Sequence, residues 1–381
     1  MNFKAGIYIL CTGIIFLSGC GGGGGGGGGG GVSIAPLVSG SAALLATSDN
    51  SYRNFKQIGL TPHTLPAYGD ARAYGDFSGH GRSDIFIAQL RYTLAQTPQT
   101  ATPSRFSFWI QQIDGTYVED TVLLSSNSGC IHPRKAIVAD FNKDGKPDVF
   151  VACHGWDAAP FPGEKNKVIL SQSDGTYLIK DASPDVGFFH AGTAADLNGD
   201  GYPDVALISS FDVNRAIVLL NKGDGTFVRE SGTRLPTSIR GGNYFSIELL
   251  DINEDGVLDL ALGGHEFEGA PTKVFINPGN NIFEGVSPIT IPAVSNEGVV
   301  LDFAATGTGA NRVLWVLRTS GGDGTFYQSR VIQKVTMGSL ASTLALYQRP
   351  GGWVPWIIPT TVNGQNLITT DSAIDAVSVP Q

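Results

Sequence analysis

Short apolar runs separated by turns rich in Asp, Asn and Gly recur along most of the chain. The clearest unit has such runs at 135–139, 149–153, 167–171 and 177–180. The next unit repeats them at 193–195, 205–209, 216–220 and 226–229. Runs of this length with turn residues between them are typical of antiparallel strands. Four strands in each repeating unit predict an all-β fold, a β-propeller of four-stranded antiparallel blades.

An acidic nonapeptide, Asp-x-Asn-x-Asp-Gly-x-x-Asp, lies between the first two runs of a unit. Full copies begin at Asp140, Asp196 and Asp251, and weaker ones begin at Asp76 and Asp302, so the starts are 64, 56, 55 and 51 residues apart. A second signature, Asp-Gly-Thr-aromatic, alternates with it at 114–117, 174–177, 224–227 and 323–326, with a weaker copy at 280–283. Such regular alternation indicates a repeat architecture.

The number of blades depends on how the two ends of the chain are assigned. Five acidic loops are visible, and three further runs at 344–347, 353–359 and 366–370 have no such loop. The segment 54–60 can supply a fourth strand to these three and so join the chain ends. Closure of this kind removes exposed sheet edges and favours six blades. Seven blades is the alternative, because 90–113 and the tail are hard to assign.

The alternation of the two signatures resembles FG-GAP/VCBS-type repeats, and residues 221–227 show the second motif in full. The resemblance covers roughly residues 54–330. It implies a β-propeller similar to the head of integrin α-subunits, with calcium in the loops between the first and second strands.

The acidic loops have the oxygen-rich pattern that calcium prefers. Positions 1, 3, 5 and 9 offer side-chain oxygens and position 7 a backbone carbonyl, while the Gly at position 6 allows the chain to curl. We predict about three Ca²⁺ sites, with no metal at the fifth loop and a weak candidate at the first; the alternative is that the loops are only Asx turns. The predicted ligands are Asp140, Asn142, Asp144, Lys146, Asp148, Asp196, Asn198, Asp200, Tyr202, Asp204, Asp251, Asn253, Asp255, Val257 and Asp259.

The N-terminus has the features of a targeting segment. Residues 5–17 are apolar but too few to span a bilayer, and Leu17-Ser18-Gly19-Cys20 resembles the bacterial lipobox. We therefore expect a lipoprotein signal peptide at 1–19, a lipidated Cys20 with a poly-Gly/Ser/Ala tether at 20–49, and the propeller at 50–381. This predicts a lipid-anchored protein of the bacterial cell envelope, at the outer membrane, on its periplasmic or its outer side. An ordinary secretory signal is the alternative.

The net charge limits the classes of partner that the protein can bind, and the cysteine content indicates its compartment. The formal net charge of −9 argues against nucleic acid as a partner, because phosphate binding needs a basic surface. After loss of the signal peptide and lipidation of Cys20, Cys130 and Cys153 are an even pair in an oxidising compartment. We expect a disulfide between them, with two buried thiols as the alternative.

The strand ends opposite the acidic loops collect most of the histidines, mixed with aromatic residues. These candidates for a ligand-binding face are His132, Arg134, His154, Trp156, His190, Phe211, Tyr244 and His265. Three interpretations compete: ordinary loop residues, a recognition surface for a glycan or protein, and a histidine-based transition-metal or catalytic centre. The chain has no His-Glu-x-x-His motif and no Gly-x-Ser-x-Gly elbow.

These patterns predict a calcium-stabilised, envelope-anchored binding module that recognises a protein or a polysaccharide, and no enzyme. One alternative is a lyase-like enzyme acting on polysaccharide, for which Arg91, Arg134, Lys135 and His154 are available. A scaffold for envelope assembly is another.

Overall fold

The computed structural model describes residues 71–93, 95–351, 354–362, 365–370 and 377–381. These residues form six antiparallel sheets, the blades of a six-blade β-propeller, in which strand order follows chain order and the first strand of each blade lies innermost. The helices among the described residues are short 3-10 turns at Thr237–Ile239, Glu266–Glu268 and Gly309–Asn311. None of the described helices is long and apolar enough to cross a membrane. The structure confirms the predicted fold class and six blades.

The first three blades follow the repeat closely. Blade 1 comprises β1 (Ala71–Gly75), β2 (Asp84–Gln89), β3 (Arg105–Gln111) and β4 (Tyr117–Asp120). Blade 2 comprises β5 (Pro133–Ala139), β6 (Asp148–Cys153), β7 (Glu164–Ser171) and β8 (Tyr177–Gly187). Blade 3 comprises β9 (Phe189–Ala195), β10 (Asp204–Ser209), β11 (Ala216–Asn221) and β12 (Phe227–Arg229). The predicted strands of the second and third units therefore coincide with β5 to β12.

The other three blades are less regular. Blade 4 comprises β13 (Tyr244–Leu250), β14 (Asp259–Gly264), β15 (Lys273–Phe275) and β16 (Ile289–Thr290). Blade 5 comprises β17 (Val299–Thr306), β18 (Val313–Thr319), β19 (Arg330–Thr336) and β20 (Ala341–Gln348). Blade 6 comprises β21 (Ile357–Val362), β22 (Gln365–Thr370) and β23 (Ser378–Pro380).

Apolar side chains on both faces of the inner strands hold neighbouring blades together. Between blades 1 and 2, for example, Ala71 and Ala73 of β1 share one buried cluster with Ala136 and Val138 of β5. Ile358 of blade 6 packs with Tyr74 and Ile85 of blade 1, which closes the ring. Burial on two faces explains why these strands read as continuous apolar runs.

The composition of the last blade corrects the sequence prediction. The run at 344–347 lies in β20, the outer strand of blade 5, and does not belong to blade 6. The run predicted at 353–359 begins its strand only at Ile357 and continues to Val362, and β23 supplies the third strand. The segment 54–60, predicted to complete this blade, lies outside the described residues.

Blade 5 also corrects the assigned repeat register. Asp302 lies inside β17, so it does not begin a fifth acidic loop. The loop between β17 and β18 begins at Gly307, 56 residues after Asp251, and has no acidic residue. The turn at 323–326 connects β18 to β19, whereas its counterparts connect third and fourth strands. It therefore lies on the opposite face from its counterparts, and the outer turn of blade 5 is at 337–340 instead.

Candidate functional site

The acidic loops join β5 to β6, β9 to β10 and β13 to β14, and together they define the acidic-loop face. The ninth residue of each loop, Asp148, Asp204 or Asp259, is fully buried and bonds the loop to the third strand. In the loop that begins at Asp140, one oxygen of Asp148 accepts the Phe141 amide (2.8 Å) and the other the Ser171 amide (2.7 Å). Asp84 makes equivalent bonds in the weak first loop. The ninth position therefore holds the hairpin whether or not a metal is bound.

The first and third positions shape the curl of each loop. Asp140 accepts the amides of Asp144 and Gly145 at 3.0 and 2.9 Å, and Asn142 accepts the amide of Asp144 at 3.1 Å. The other two full loops repeat the bond from the amide of position 6 to the Asp at position 1. The Asx turns, which were the alternative to calcium sites, are therefore present in these loops. They bring the carboxylates of each loop together.

The electrostatics of these loops fit a cation. Burial, reinforced by the charges of Asp140 and Asp144, raises the pKa of Asp148 to about 7. Burial likewise raises the pKa of Asp204 to about 6, with Asp200 adding to the effect. In the third loop, Oδ1 of Asp251 is buried and has no hydrogen-bond partner. Mutually repelling carboxylates and an unsatisfied buried oxygen are features that a bound dication would relieve.

Ring side chains form a continuous track on the opposite face, which we call the aromatic face. Successive ring centroids lie 4.3 to 6.1 Å apart across blades 2 to 5. The track comprises Phe161, Phe188, Phe211, His190, Phe245, His265, Phe267, Phe326 and Tyr327. Phe211 and Phe267 are exposed by 62% and 40%, so two non-adjacent parts of the track are open to solvent.

The predicted ligand-face residues do collect at this face, but the structure buries most of them. His132, His154, Trp156, Tyr244 and His265 are buried, which excludes Trp156 and Tyr244 as exposed stacking platforms. Their partners explain the burial: Trp156 packs on the Tyr92 ring at 5.1 Å, and the hydroxyl of Tyr244 donates to the carbonyl of Pro271. Phe211 is exposed, and Arg134 and His190 are half-buried.

Three histidines and an aspartate meet beside blade 2. The Nε2 atoms of His154 and His190 are 3.1 Å apart, and Nδ1 of His132 lies 3.1 Å from the Tyr92 hydroxyl. Asp157 places Oδ1 3.8 Å from Nδ1 of His154. Burial, followed by the nearby His190, holds the pKa of His154 well below its ordinary value, which favours the neutral imidazole.

His265 is in a separate environment. Its Nδ1 lies 2.7 Å from a carboxylate oxygen of Glu268, and its Nε2 lies 3.3 Å from the Tyr327 hydroxyl. Burial lowers the pKa of His265, and Glu268 partly offsets that effect. His154 and His265 occupy the same position in the repeat, but their side chains contact different residues. They therefore do not belong to one metal or catalytic centre.

Charged groups fill the axis of the ring. The Lys135 ammonium forms an ion pair with Glu248 and lies 3.6 Å from Oδ1 of Asp302, all three being almost fully buried. It also lies 4.7 Å from the centre of the Trp356 ring. Lys135 therefore ties blades 2, 4, 5 and 6 together and is not exposed for the lyase-like role considered from the sequence.

The sequence interpretation missed most of the track. The register of the repeat contained the signal: Arg134, His190 and Phe245 each precede the first Asp of a loop by six residues. The sequence prediction named Tyr244, which is buried, whereas the next residue, Phe245, is half-buried and belongs to the track. Phe326 was missed because the turn at 323–326 was assigned to the other face.

Comparison with known families supports the repeat assignment. Residues 76–151 and 196–262 match the family model described as FG-GAP-like repeat. These segments include the acidic loops of blades 1, 2, 3 and 4. The chain therefore contains FG-GAP-like repeats in a β-propeller fold. A search of curated proteins finds no match to this FG-GAP propeller.

Solved structures match this chain at low sequence identity. A proposed 6-phosphogluconolactonase from Bacteroides uniformis is 13% identical, with 84% of this chain and 81% of that one covered and a TM-score of 0.49. A periplasmic gluconolactonase from Pseudomonas aeruginosa is 14% identical, with 78% and 82% covered and a TM-score of 0.44.

Proposed function

We propose that this FG-GAP propeller is a binding module that recognises a protein or polysaccharide through its aromatic face. The track of rings across blades 2 to 5 carries the proposal. Exposed aromatic rings supply apolar contact area and stack on sugar rings or on partner side chains. Phe211 and Phe267 are the exposed anchors, and half-buried Phe161, Phe245 and Phe326 continue the surface between and beside them.

The double variant Phe211→Ser/Phe267→Ser is expected to lower affinity for the ligand at least tenfold while leaving the fold intact, because both rings are exposed. Binding is measured against an array of envelope polysaccharides and against purified envelope proteins. Ile113→Ser is the matched control, since Ile113 is 94% exposed in the turn between β3 and β4, on the acidic-loop face. Equal ligand binding by the double variant and the control would refute the proposal.

We further propose that Ca²⁺ occupies the three full acidic loops and stabilises the blades. Asp140, Asp196 and Asp251 with the residues at positions 3, 5 and 9 would hold the ion. Calcium supplies no chemistry in this role; it neutralises carboxylates that otherwise repel one another and fixes each hairpin. The lipid anchor on Cys20 and the location in the cell envelope also remain predictions, because residues 1–70 lie outside the described chain.

Calcium is expected to raise the melting temperature of chelator-treated protein. Each site contributes about 2.7 kcal/mol at a calcium concentration 100 times its dissociation constant. The triple variant Asp144→Ala/Asp200→Ala/Asp255→Ala removes the exposed fifth position of each loop and should abolish the shift. Asp174→Ala, an exposed aspartate in a neighbouring turn of the acidic-loop face, should keep it. A triple variant that still shows the full calcium shift would contradict these sites.

A further inference from the structure

We propose that His132, His154 and Asp157 bind a divalent transition-metal ion beside blade 2 of the aromatic face. One ligand atom from each residue lies within 4.8 Å of the others. Both imidazoles are buried, and the side chain of Asp157 is 7% exposed. Two imidazole nitrogens and a carboxylate form a donor set that suits zinc and related ions and that magnesium or calcium would not prefer.

Nδ1 of His154 is the atom that most needs a partner. It is buried and has no hydrogen-bond partner, while Oδ1 of Asp157 lies 3.8 Å away. An unsatisfied buried polar atom is unfavourable, and a metal ion would satisfy it. Ligand atoms around a tetrahedral ion with bonds of ~2.1 Å lie roughly 3.4 Å apart, so closing this pair requires a shift of only a few tenths of an ångström.

The second nitrogen of His154 is placed to fix its tautomer. Its Nε2 lies 3.1 Å from Nε2 of His190. When Nε2 of His154 carries the proton and donates it to His190, the lone pair of Nδ1 points toward Asp157. Metal-binding histidines ordinarily use their other ring nitrogen in this way, so His190 is a positioning residue and not a ligand.

The two segments that carry the histidines are joined at several points, because β5 pairs with β6 directly beside them. Cys130 and Cys153 form a disulfide, and the amide of His154 donates to the carbonyl of His132 at 2.8 Å. Gly155 has a φ of +80°, and a Cβ there would lie 2.6 Å from the backbone of Gly163. The turn that brings Asp157 back to the histidines therefore requires glycine. A site on such connected segments is pre-organised.

Charge and coordination number indicate an open site. Arg134 is close enough to act electrostatically on His154, and the carboxylate of Asp157 supplies the negative charge that a bound cation needs there. Three protein ligands leave at least one coordination position for water or for a ligand on the aromatic face. Phe188 packs against the ring of His154 and screens that side from bulk water.

Cobalt(II) is the probe, because its ligand-field absorption reports coordination directly. The full chain, with its acidic loops saturated by calcium, is titrated with Co²⁺ and then with Zn²⁺. We expect one equivalent of cobalt to give a visible absorption band that zinc removes. Asp157→Asn and His132→Gln should each weaken cobalt binding at least tenfold. His80→Gln, an exposed histidine in the first loop, should leave it unchanged.

Two variants of the site, Asp157→Asn and His132→Gln, are used so that one can still test the proposal if the other misfolds. The asparagine variant of Asp157 keeps the shape of the side chain, so folding of Asp157→Asn is expected and is checked by circular dichroism. The absence of a cobalt band, or a band of undiminished affinity in folded Asp157→Asn, would overturn the proposal. Excess calcium separates this site from the acidic loops, and the result does not depend on ligand binding by the aromatic face.

Discussion

Replacing Lys135 by Met is expected to lower the free energy of unfolding by about 3–5 kcal/mol. The substitution removes the positive charge that pairs with Glu248 and lies 3.6 Å from Oδ1 of Asp302, and both carboxylates are fully buried. An uncompensated buried charge is strongly unfavourable, whereas the methionine itself fits the space of the lysine stem. Urea unfolding in saturating calcium measures the loss, so that calcium affinity does not contribute.

Lys165→Met provides the matched comparison. Lys165 pairs with Asp181 at 3.0 Å, but both side chains are 43% exposed, so removing this pair should cost at most about 1 kcal/mol. The double variant Glu248→Gln/Lys135→Met should lose less unfolding free energy than the sum of the losses in the two single variants, because the two charges interact. A Lys135→Met protein no less stable than Lys165→Met would show that the axial charges are not held as described.

Local patterns in the sequence predicted the acidic loops well. The Asp, Asn and Gly residues of a nonapeptide act on backbone groups within the same nine positions, so a single copy contains its own turn chemistry. The bonds that Asp140 accepts from the amide of Gly145 and Asp148 accepts from the amide of Phe141 are of this kind. Repetition of the nonapeptide then gave the length of a blade and the order of its strands.

The axial network could not be predicted in this way, because its members are far apart in sequence. Lys135 and Glu248 are 113 residues apart, and no local pattern pairs them. Asp302 was even assigned to a loop, because Gly307 follows it by five residues, as a glycine follows the first Asp of each acidic nonapeptide. With the loop start at Gly307, Asp302 and Lys135 occupy the same repeat position, five residues before the loop, where β17 and β5 face the axis.

The sequence predicted where the aromatic face lies, but not which of its side chains are exposed. Strand order places His154, Trp156 and His265 at one end of the blades, and this follows from the repeat alone. Burial depends on neighbours from other blades, such as the Tyr92 ring against Trp156. The sequence therefore located the face but could not distinguish exposed Phe211 from buried Tyr244.

Removing the disulfide by Cys130→Ala/Cys153→Ala is expected to lower the free energy of unfolding by about 3.4 kcal/mol, given a sequence separation of 23 residues. The bond restricts the unfolded chain, and both sulfurs are buried, so alanine introduces no unsatisfied polar group. Urea unfolding with and without a thiol reductant measures the effect. The wild type should lose stability on reduction, and the double variant should not respond.

The same variant separates the stabilising role of the disulfide from its role at the histidines. Cys130 lies two residues before His132, and Cys153 immediately precedes His154, so the bond fixes the spacing of the two proposed ligands. Without it, the hydrogen bond from His154 to the carbonyl of His132 and the pairing of β5 with β6 still join the segments. We therefore expect weaker cobalt binding by the folded double variant than by the wild type. Loss of stability with unchanged cobalt affinity would mean that the strand pairing of β5 and β6 alone positions both histidines.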